Sequence, residues 1–327
     1  MTPDCMITVS SSAEAVAVTP YMLGFHPTDS LVVLGLFGRL VDFVVRYDFP
    51  PPDHPSALEE AAELVAAQGA GRVIVLGYGP PGPVSPAVLE LAHMLREARV
   101  RVEDTLRVHD GRWWSYESRG PAEGTACSLG LAAGAVFQGL VALPDRKALV
   151  AQLAPLEGEA GREAEAATVR ARARRASLPD DAARRAGREA IREAERIARS
   201  GGEPTGDEYA WLNVLLAEQP VLEHGIDRTS PERWRARLWT EAVRRAEPTQ
   251  VAAPATLLGF AAWRAGDGAL ARVAVDRALQ AAPGHRYAAI LDRLLGAGIR
   301  PSTLVSMRPL PPRGRRRRRP ARGRAIP

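Results

Sequence analysis

Residues 31–36 form a continuous apolar run that ends in a tight turn at residues 37–39. A short run without polar positions is typical of a strand that is buried on both faces of a sheet. The following residues 41–49 alternate between apolar and polar side chains, which predicts a strand with one solvated face. The two strands are therefore expected to form a hairpin, and at least one of them must be covered on both sides.

Helix and strand patterns then alternate along the chain. The predicted elements are a helix, a strand, a second helix and a second strand, over residues 57–67, 72–76, 86–98 and 101–108. This alternation favours an α/β layer in which at least part of the sheet is parallel. The dipeptide Asp110-Gly111 predicts a turn, after which residues 112–116 return as the second strand of another hairpin.

Further elements are expected around this layer. Ser11 and Glu14 match a capping box that predicts a helix over residues 13–18. Pro20 interrupts this helix or opens a second turn, and Gly24 is suited to end it. The remaining predicted elements are a short strand, a rigid proline-rich linker and two closing helices, over residues 6–9, 50–55, 129–137 and 145–153.

The second half of the chain has helical patterns alone. Residues 157–200 are rich in Ala, Arg and Glu, which predicts a long, solvated connecting helix. The expected fold class is therefore α/β, a mixed sheet with helices, followed by a small all-α domain. The predicted divisions are an α/β domain, a solvated helical linker, a helical domain and a disordered Arg- and Pro-rich tail, over residues 1–155, 156–204, 205–305 and 306–327.

Part of the helical half resembles one tetratricopeptide unit. The matching positions are Leu258, Gly259, Ala271, Val275, Ala278 and Pro283. Gly266 and Asp267 make the turn between the two helices, and the small residues let these helices pack closely. The signature Trp and Tyr positions hold Ala255 and Ala262 here, and no second unit follows at the repeat spacing. We therefore expect a single tetratricopeptide-like hairpin.

Basic charge is concentrated at the C-terminus. Nine arginines and no acidic residue occur in residues 308–327, so the formal net charge of +5 becomes −4 without them. Such a tail attracts phosphates without reading sequence, which predicts non-specific contact with nucleic acid or another anionic surface. A terminus without function, produced by a GC-rich genome, is the alternative. The arginines concerned are Arg313, Arg315, Arg316, Arg317, Arg318 and Arg319.

The two cysteines, Cys5 and Cys127, are too few for a disulfide framework, and neither has a Cys or His at metal-ligand spacing. We therefore expect no metal site, and the sequence identifies no cofactor. The N-terminus lacks the pattern of a secretory signal, and no apolar run is long enough to span a bilayer. A cytoplasmic location is the expectation.

A first candidate ligand-binding site, comprising His26, Asp29 and Ser30, precedes the buried strand. His26 is a candidate general base or ligand donor that Asp29 would orient. In the alternative interpretation, Asp29 or Ser30 accepts backbone hydrogen bonds in the turn and His26 is partly buried.

A second candidate site comprises His109, Asp110 and Arg112 next to Trp113. Arginine beside tryptophan can make a stacking or anion-binding surface, so this cluster predicts a small anionic ligand. Packing of the aromatic side chains in a hairpin is the alternative.

Known catalytic signatures are missing or incomplete. Residues 77–82 match G-x-G-x-x-G, but Pro80 and Pro81 have no N–H to bind a pyrophosphate, and Gly82 precedes the predicted helix by several residues. The order of elements loosely resembles nucleases of the ribonuclease-H kind, whose inward carboxylates would have to be Asp42 and Asp48. Both are expected on the solvated face.

Three motifs resemble those of an actinobacterial family, the domain-of-unknown-function 4192 family. They are Pro-Tyr-Met-Leu-Gly-Phe-His-Pro running into Ser-Leu-Val-Val at residues 20–33, Asp-Gly-Arg-Trp-Trp-Ser-Tyr at 110–116 and Gly-Phe-Ala-Ala-Trp-Arg-Ala-Gly-Asp-Gly at 259–268. Family members often have cysteines after the second motif, where this chain has none in residues 117–121. The resemblance implies an architecture and no activity.

Three hypotheses of function follow. The first is a non-catalytic ligand-binding or protein-interaction module, with its site where the loops at 24–30 and 109–116 meet. The second is an enzyme that uses His26, Asp29 and His109. The third is an interaction scaffold centred on the tetratricopeptide-like hairpin, which predicts an exposed apolar groove near Trp263.

Overall fold

A computed structural model describes residues 7–49, 56–128, 130 and 141–301. Six strands lie in these ranges. They are β1 (Ser30–Phe37), β2 (Leu40–Asp48), β3 (Arg72–Tyr78), β4 (Arg101–His109), β5 (Arg112–Ser115) and β6 (Thr125–Ala126). They form one mixed sheet in the order β2-β1-β3-β4-β5-β6.

The pairing directions confirm the predicted hairpins. β1 is antiparallel to both β2 and β3, whereas β3 and β4 are parallel. β5 and β6 extend the sheet in antiparallel pairs. The parallel pair requires a crossover, which a helix between β3 and β4 supplies.

Twelve helices lie in the described ranges. Four belong to the sheet region: α1 (Ser12–Leu23), α2 (Ser56–Ala67), α3 (Pro81–Glu97) and α4 (Arg146–Ala151). Eight follow: α5 (Gly158–Ala176), α6 (Asp180–Arg199), α7 (Gly206–Leu215), α8 (Gln219–Arg228), α9 (Arg233–Arg244), α10 (Ala252–Arg264), α11 (Gly268–Ala281) and α12 (Arg286–Gly296). The expected fold class, α/β followed by an all-α part, is confirmed.

The apolar run in β1 is covered on both faces of the sheet. Leu31 and Val33 pack against α2 and α3 on one face. Val32 and Leu34 point to the other face, where they join one hydrophobic core with α1 and most of the helical half. This arrangement explains why β1 has no polar position between residues 31 and 36.

The first helix is longer than predicted. Ser11 caps α1 by accepting a hydrogen bond from the Glu14 N–H, but the helix continues through Pro20 to Leu23. Gly24 ends it with a left-handed φ of 76°. The expected interruption at Pro20 is therefore wrong, because burial of this helix against the sheet outweighs the loss of one backbone hydrogen bond.

Residues 157–200 do not form the single helix that their composition predicts. The chain makes two helices, α5 and α6, and Pro179 starts the second one. Each helix buries alanines on one side, including Ala167 in α5 and Ala183 in α6. The small side chains that suggested a solvated helix allow close contact between helices.

The C-terminal end of the described chain returns to the sheet region. Arg300 forms a bidentate ion pair with Asp42 of β2, with N–O distances of 2.9 and 2.8 Å. Its guanidinium also lies over the ring of Phe43, 5.3 Å from the centroid. The Gln68 amide donates to the Gly298 carbonyl at 2.7 Å. These contacts hold the last helix against the first half of the molecule.

Helices α10 and α11 occupy the positions predicted for the tetratricopeptide-like hairpin. Gly259 permits their close packing, because a methyl group there would lie 3.3 Å from Cγ2 of Val275. Trp263 is only 6% exposed, and its indole N–H donates to the Ile299 carbonyl at 3.0 Å. Among the described residues, Trp263 is therefore buried and does not line the exposed groove expected near it. The likeness to a tetratricopeptide unit stays a prediction.

Some predicted segments lie outside the described residues. These are the linker at 50–55, nearly all of the helix at 129–137, and the tail at 306–327 with its arginines. The division into domains also stays a prediction.

Candidate functional site

Both candidate loops reach the same edge of the sheet, at which β1 and β5 begin and β3 and β4 end. We call this edge, marked by Ser30, Tyr78, His109 and Arg112, the loop edge. Ser30 is the pairing partner of Tyr78, and Tyr78 in turn pairs with Val108. The two loops are therefore two strand spacings apart, or about 10 Å.

Two buried hydroxyls at the loop edge lack hydrogen bonds. Ser30 is 0% exposed and Tyr78 is 6% exposed. Neither Ser30 Oγ nor the Tyr78 hydroxyl has a hydrogen-bond partner among the described residues. The Thr19 hydroxyl of α1, which donates to the Ala15 carbonyl at 2.7 Å, lies beside the phenol and lowers its pKa, but the two hydroxyl oxygens do not reach hydrogen-bonding geometry. Directly paired strand positions share a face, so both hydroxyls point to the side of the sheet that carries α1.

The groups around Tyr78 are protonated at neutral pH. Burial raises the pKa of the Tyr78 hydroxyl, the interaction with the Thr19 hydroxyl opposes this rise, and the neighbouring Cys127 adds to it. Burial also raises the pKa of the Cys127 thiol. A protonated thiol is a poor nucleophile, so this edge offers hydrogen-bonding groups rather than a reactive sulfur.

The first predicted cluster is only partly assembled. His26 is exposed, which differs from the partly buried alternative, and its ring forms no hydrogen bond or ion pair within the described ranges. Asp29 is also exposed and adopts a left-handed φ of 42°. Its Oδ1 lies 3.2 Å from the position that a Cβ atom on residue 79 would occupy. The carboxylate therefore lies next to Gly79, the residue that follows β3.

The residues of the second predicted cluster contact one another and the segment that precedes β6. His109 Nε2 lies 3.4 Å from Oδ2 of Asp110. Asp110 and Gly111 both have positive φ, as the predicted turn requires. Arg112 donates to the carbonyls of Gly124 and Glu123, at 2.8 and 3.2 Å. The arginine therefore secures the turn before β6.

The two tryptophans of β5 face opposite sides of the sheet. Trp113 packs against the core shared with α1. Trp114 donates its indole N–H to the Ala122 carbonyl at 3.0 Å, and the Arg107 guanidinium stacks on its ring, 3.6 Å from the centroid. The stacked arginine is thus Arg107 of β4, which sequence reasoning missed.

Sequence reasoning also missed Tyr78 and Cys127 at the loop edge. Tyr78 lies within the glycine-rich match that was set aside for lack of a phosphate site. Helix α3 begins at Pro81, so Gly82 is in its first turn, contrary to the expectation that it lies outside the helix. Pro80 and Pro81 still have no backbone N–H that could bind a pyrophosphate.

Two open clefts lie away from this edge, one between α5, α6 and α7 and the other between α5 and the start of α7. Their volumes are about 220 and 460 Å³. The smaller one is lined by alanines of α6, Trp211 and three glutamates. The described ranges contain no group of three His, Cys, Asp or Glu side chains placed to hold a metal ion. None of the helices in these ranges is both long and apolar enough to cross a bilayer.

Comparison with known proteins identifies one family. The sequence model of the DUF4192 family, a domain of unknown function, matches residues 13–302. No curated protein and no solved structure matches the chain.

Proposed function

The chain belongs to the DUF4192 family, whose description assigns no function, and from its residues we propose that it is a non-catalytic ligand-binding protein with its site at the loop edge. The observation that carries this proposal is the pair of buried hydroxyls on Ser30 and Tyr78, which have no hydrogen-bond partner among the described residues. Leaving a buried hydroxyl without a partner costs about 1–3 kcal/mol. A polar group of a bound ligand would remove that cost.

The surrounding groups favour binding over catalysis. The Tyr78 hydroxyl and the Cys127 thiol have raised pKa values, so neither is ionised near neutral pH. The enzyme alternative needs His26, Asp29 and His109 in one hydrogen-bonded set. Within the described residues the polar contact of the His109 ring is Asp110, and no hydrogen bond joins His26 to Asp29. The proposal keeps the cytoplasmic location predicted from the sequence.

A thermal-shift screen of nucleotides and metabolites with the full-length protein tests the proposal. We expect a compound that raises Tm in the wild-type protein and loses its effect in Ser30→Ala and in Tyr78→Phe. Tyr47→Phe is the matched control, since it removes a phenol that points to the opposite face of the sheet.

Two outcomes would overturn this assignment. One is that every stabilising compound acts equally on the wild type and on both loop-edge variants. The other is that no compound stabilises the protein and a crystal structure shows ordered water on both hydroxyls, because buried water is the usual partner of such groups.

A further inference from the structure

A second cluster of polar side chains lies on α6 and α8 and does not depend on the loop edge. The two helices run parallel, because their contacts advance in the same direction along both. These contacts are Gly187 with Val221, Ile191 with Gly225, and Glu195 with Arg228. A methyl group at position 187 would lie 2.6 Å from Cγ2 of Val221, so the helices approach closely.

Basic side chains flank this contact on one side. Arg188 and Arg192 are one turn apart on α6, and His224 and Arg228 are one turn apart on α8. Arg188 and Arg192 each follow a contact residue of α6 and His224 precedes one of α8, which in parallel helices places the three side chains on the same side of the contact. Burial lowers the pKa of His224, the charges of Arg228, Arg192 and Arg188 lower it further, and the charge of Glu195 opposes this shift. We call the space between these basic side chains the basic groove.

Two of these arginines are not neutralised. Arg228 donates to the buried carboxylate of Glu195 at 2.7 Å. Arg188 and Arg192 form no ion pair or hydrogen bond within the described part of the chain. Like charges one turn apart destabilise a helix by a few tenths of a kcal/mol.

Two acidic residues of the same helix point elsewhere. Glu189 and Glu193 follow the two arginines directly in sequence, but they line the cleft on the α7 side together with Trp211. Helix α6 therefore has an acidic side and a basic side. The basic side faces α8 and includes the buried Glu195, whose carboxylate is paired with Arg228 and Arg235.

The groove also contains an unused hydrogen-bonding atom. His224 Nε2 is buried and has no partner among the described residues. Because its pKa is lowered, the ring is uncharged near neutral pH, with a proton on one of its two nitrogens. An uncharged imidazole with its proton on Nε2 is a hydrogen-bond donor.

We propose that the basic groove binds the phosphoryl group of an anionic ligand. Arg188 and Arg192 supply the charge, and His224 Nε2 donates a hydrogen bond. Guanidinium groups suit this ligand because their N–H fork matches two phosphate oxygens at once. The bound dianion would also relieve the repulsion between the two arginines.

Titration of the full-length protein with inorganic phosphate, followed by NMR of the histidine rings, tests this proposal. Ionic strength is held constant with chloride, and the His224 signals are assigned with His224→Gln. We expect a saturable shift of the His224 signals. Arg188→Gln/Arg192→Gln should weaken binding by about tenfold or more, corresponding to the loss of about 1.4 kcal/mol.

The control is Arg162→Gln/Arg199→Gln, which removes the same charge from exposed positions on α5 and α6. It should leave the phosphate affinity at His224 nearly unchanged. No saturable shift at His224 would overturn the proposal. Equal weakening in both double variants would do so as well, since it would show diffuse attraction by the many arginines of the chain. Should the groove variant unfold, the single exposed substitution Arg192→Gln replaces it.

Discussion

Two sets of buried polar groups in this molecule differ in whether they have partners. In the helical half, the Glu195 carboxylate accepts hydrogen bonds from Arg228 and Arg235, and Arg235 is also bound to Ser230. At the loop edge, Ser30 and Tyr78 are equally buried and have no partners among the described residues. The first set has its hydrogen bonds within the protein, and the second set has hydrogen-bonding capacity left over.

This difference separates architecture from a candidate site. Glu195 joins α6 to α8 and α9, so its interactions hold three helices together. A group with a complete set of partners has nothing left to offer a ligand. A buried group without partners requires an explanation, and a bound molecule is one.

The largest expected effect is at Glu195. Glu195→Ala should lower the free energy of unfolding by about 3–5 kcal/mol, because it leaves the buried Arg235 with an incompletely balanced charge. Urea unfolding of the purified variant measures the loss. Glu193→Ala is the control on the same helix; it breaks an exposed pair with Arg196 and should cost at most about 1 kcal/mol. Equal losses in the two variants would contradict the architectural role of Glu195.

A Ser→Ala substitution at two positions compares a hydroxyl that has a hydrogen-bond partner with one that has none among the described residues. Ser115 Oγ donates to the buried Asp104 carboxylate at 2.7 Å, so Ser115→Ala should cost about 1–3 kcal/mol. Ser30 Oγ has no such partner among the described residues, so Ser30→Ala should leave stability unchanged or raise it by up to about 1 kcal/mol in ligand-free protein. Chemical denaturation of both variants gives the values. A larger loss for Ser30→Ala than for Ser115→Ala would mean that Ser30 already has a partner in solution.

The contact between the C-terminal end and the sheet should have a smaller effect. Arg300→Ala removes a bidentate ion pair with Asp42 that is about a third exposed, and a stack on Phe43, so about 1 kcal/mol is expected. Arg101→Ala is the control, because Arg101 is 74% exposed in its pair with Glu103. Its loss should be below about 0.5 kcal/mol. If thermal unfolding gives equal changes, the Arg300 contact does not hold the two halves together.

The smallest effect concerns pH. Burial lowers the pKa of His285 and of His224. In the unfolded chain these rings are protonated near pH 6.5, whereas in the folded chain they are protonated only at a lower pH. Between these two pH values the unfolded state therefore binds more protons than the folded state. Stability is therefore full above about pH 6.5 and falls as the pH is lowered toward the folded pKa values.

Urea unfolding between about pH 7.5 and 5.5 measures this loss. His285→Asn should reduce it, because asparagine retains an acceptor for the Ala288 N–H at the start of α12 but does not titrate. A pH dependence that is the same in this variant and in the wild type would rule out His285 as a contributor.

Local patterns predicted much of the fold. The apolar run of β1, the alternation in β2 and the Asp110-Gly111 turn each depend on neighbouring residues, and the structure contains the predicted strand or turn at each position. The same reasoning placed the candidate site at the two loops, which do reach one edge of the sheet. It did not identify Tyr78, because a tyrosine inside an apolar strand has the pattern of a core residue.

By itself, the sequence determined the periodicity of each element and the residues that end it, because these depend on steric and hydrogen-bonding preferences within a few positions. The tertiary structure alone decided which polar groups have partners. Asp104 meets Ser12 and Asp42 meets Arg300 across long stretches of chain, whereas the hydroxyls of Ser30 and Tyr78, on adjacent strands, have no partner in the part of the chain that the structure describes. Such pairings are set by how distant segments pack, so no local pattern contains them.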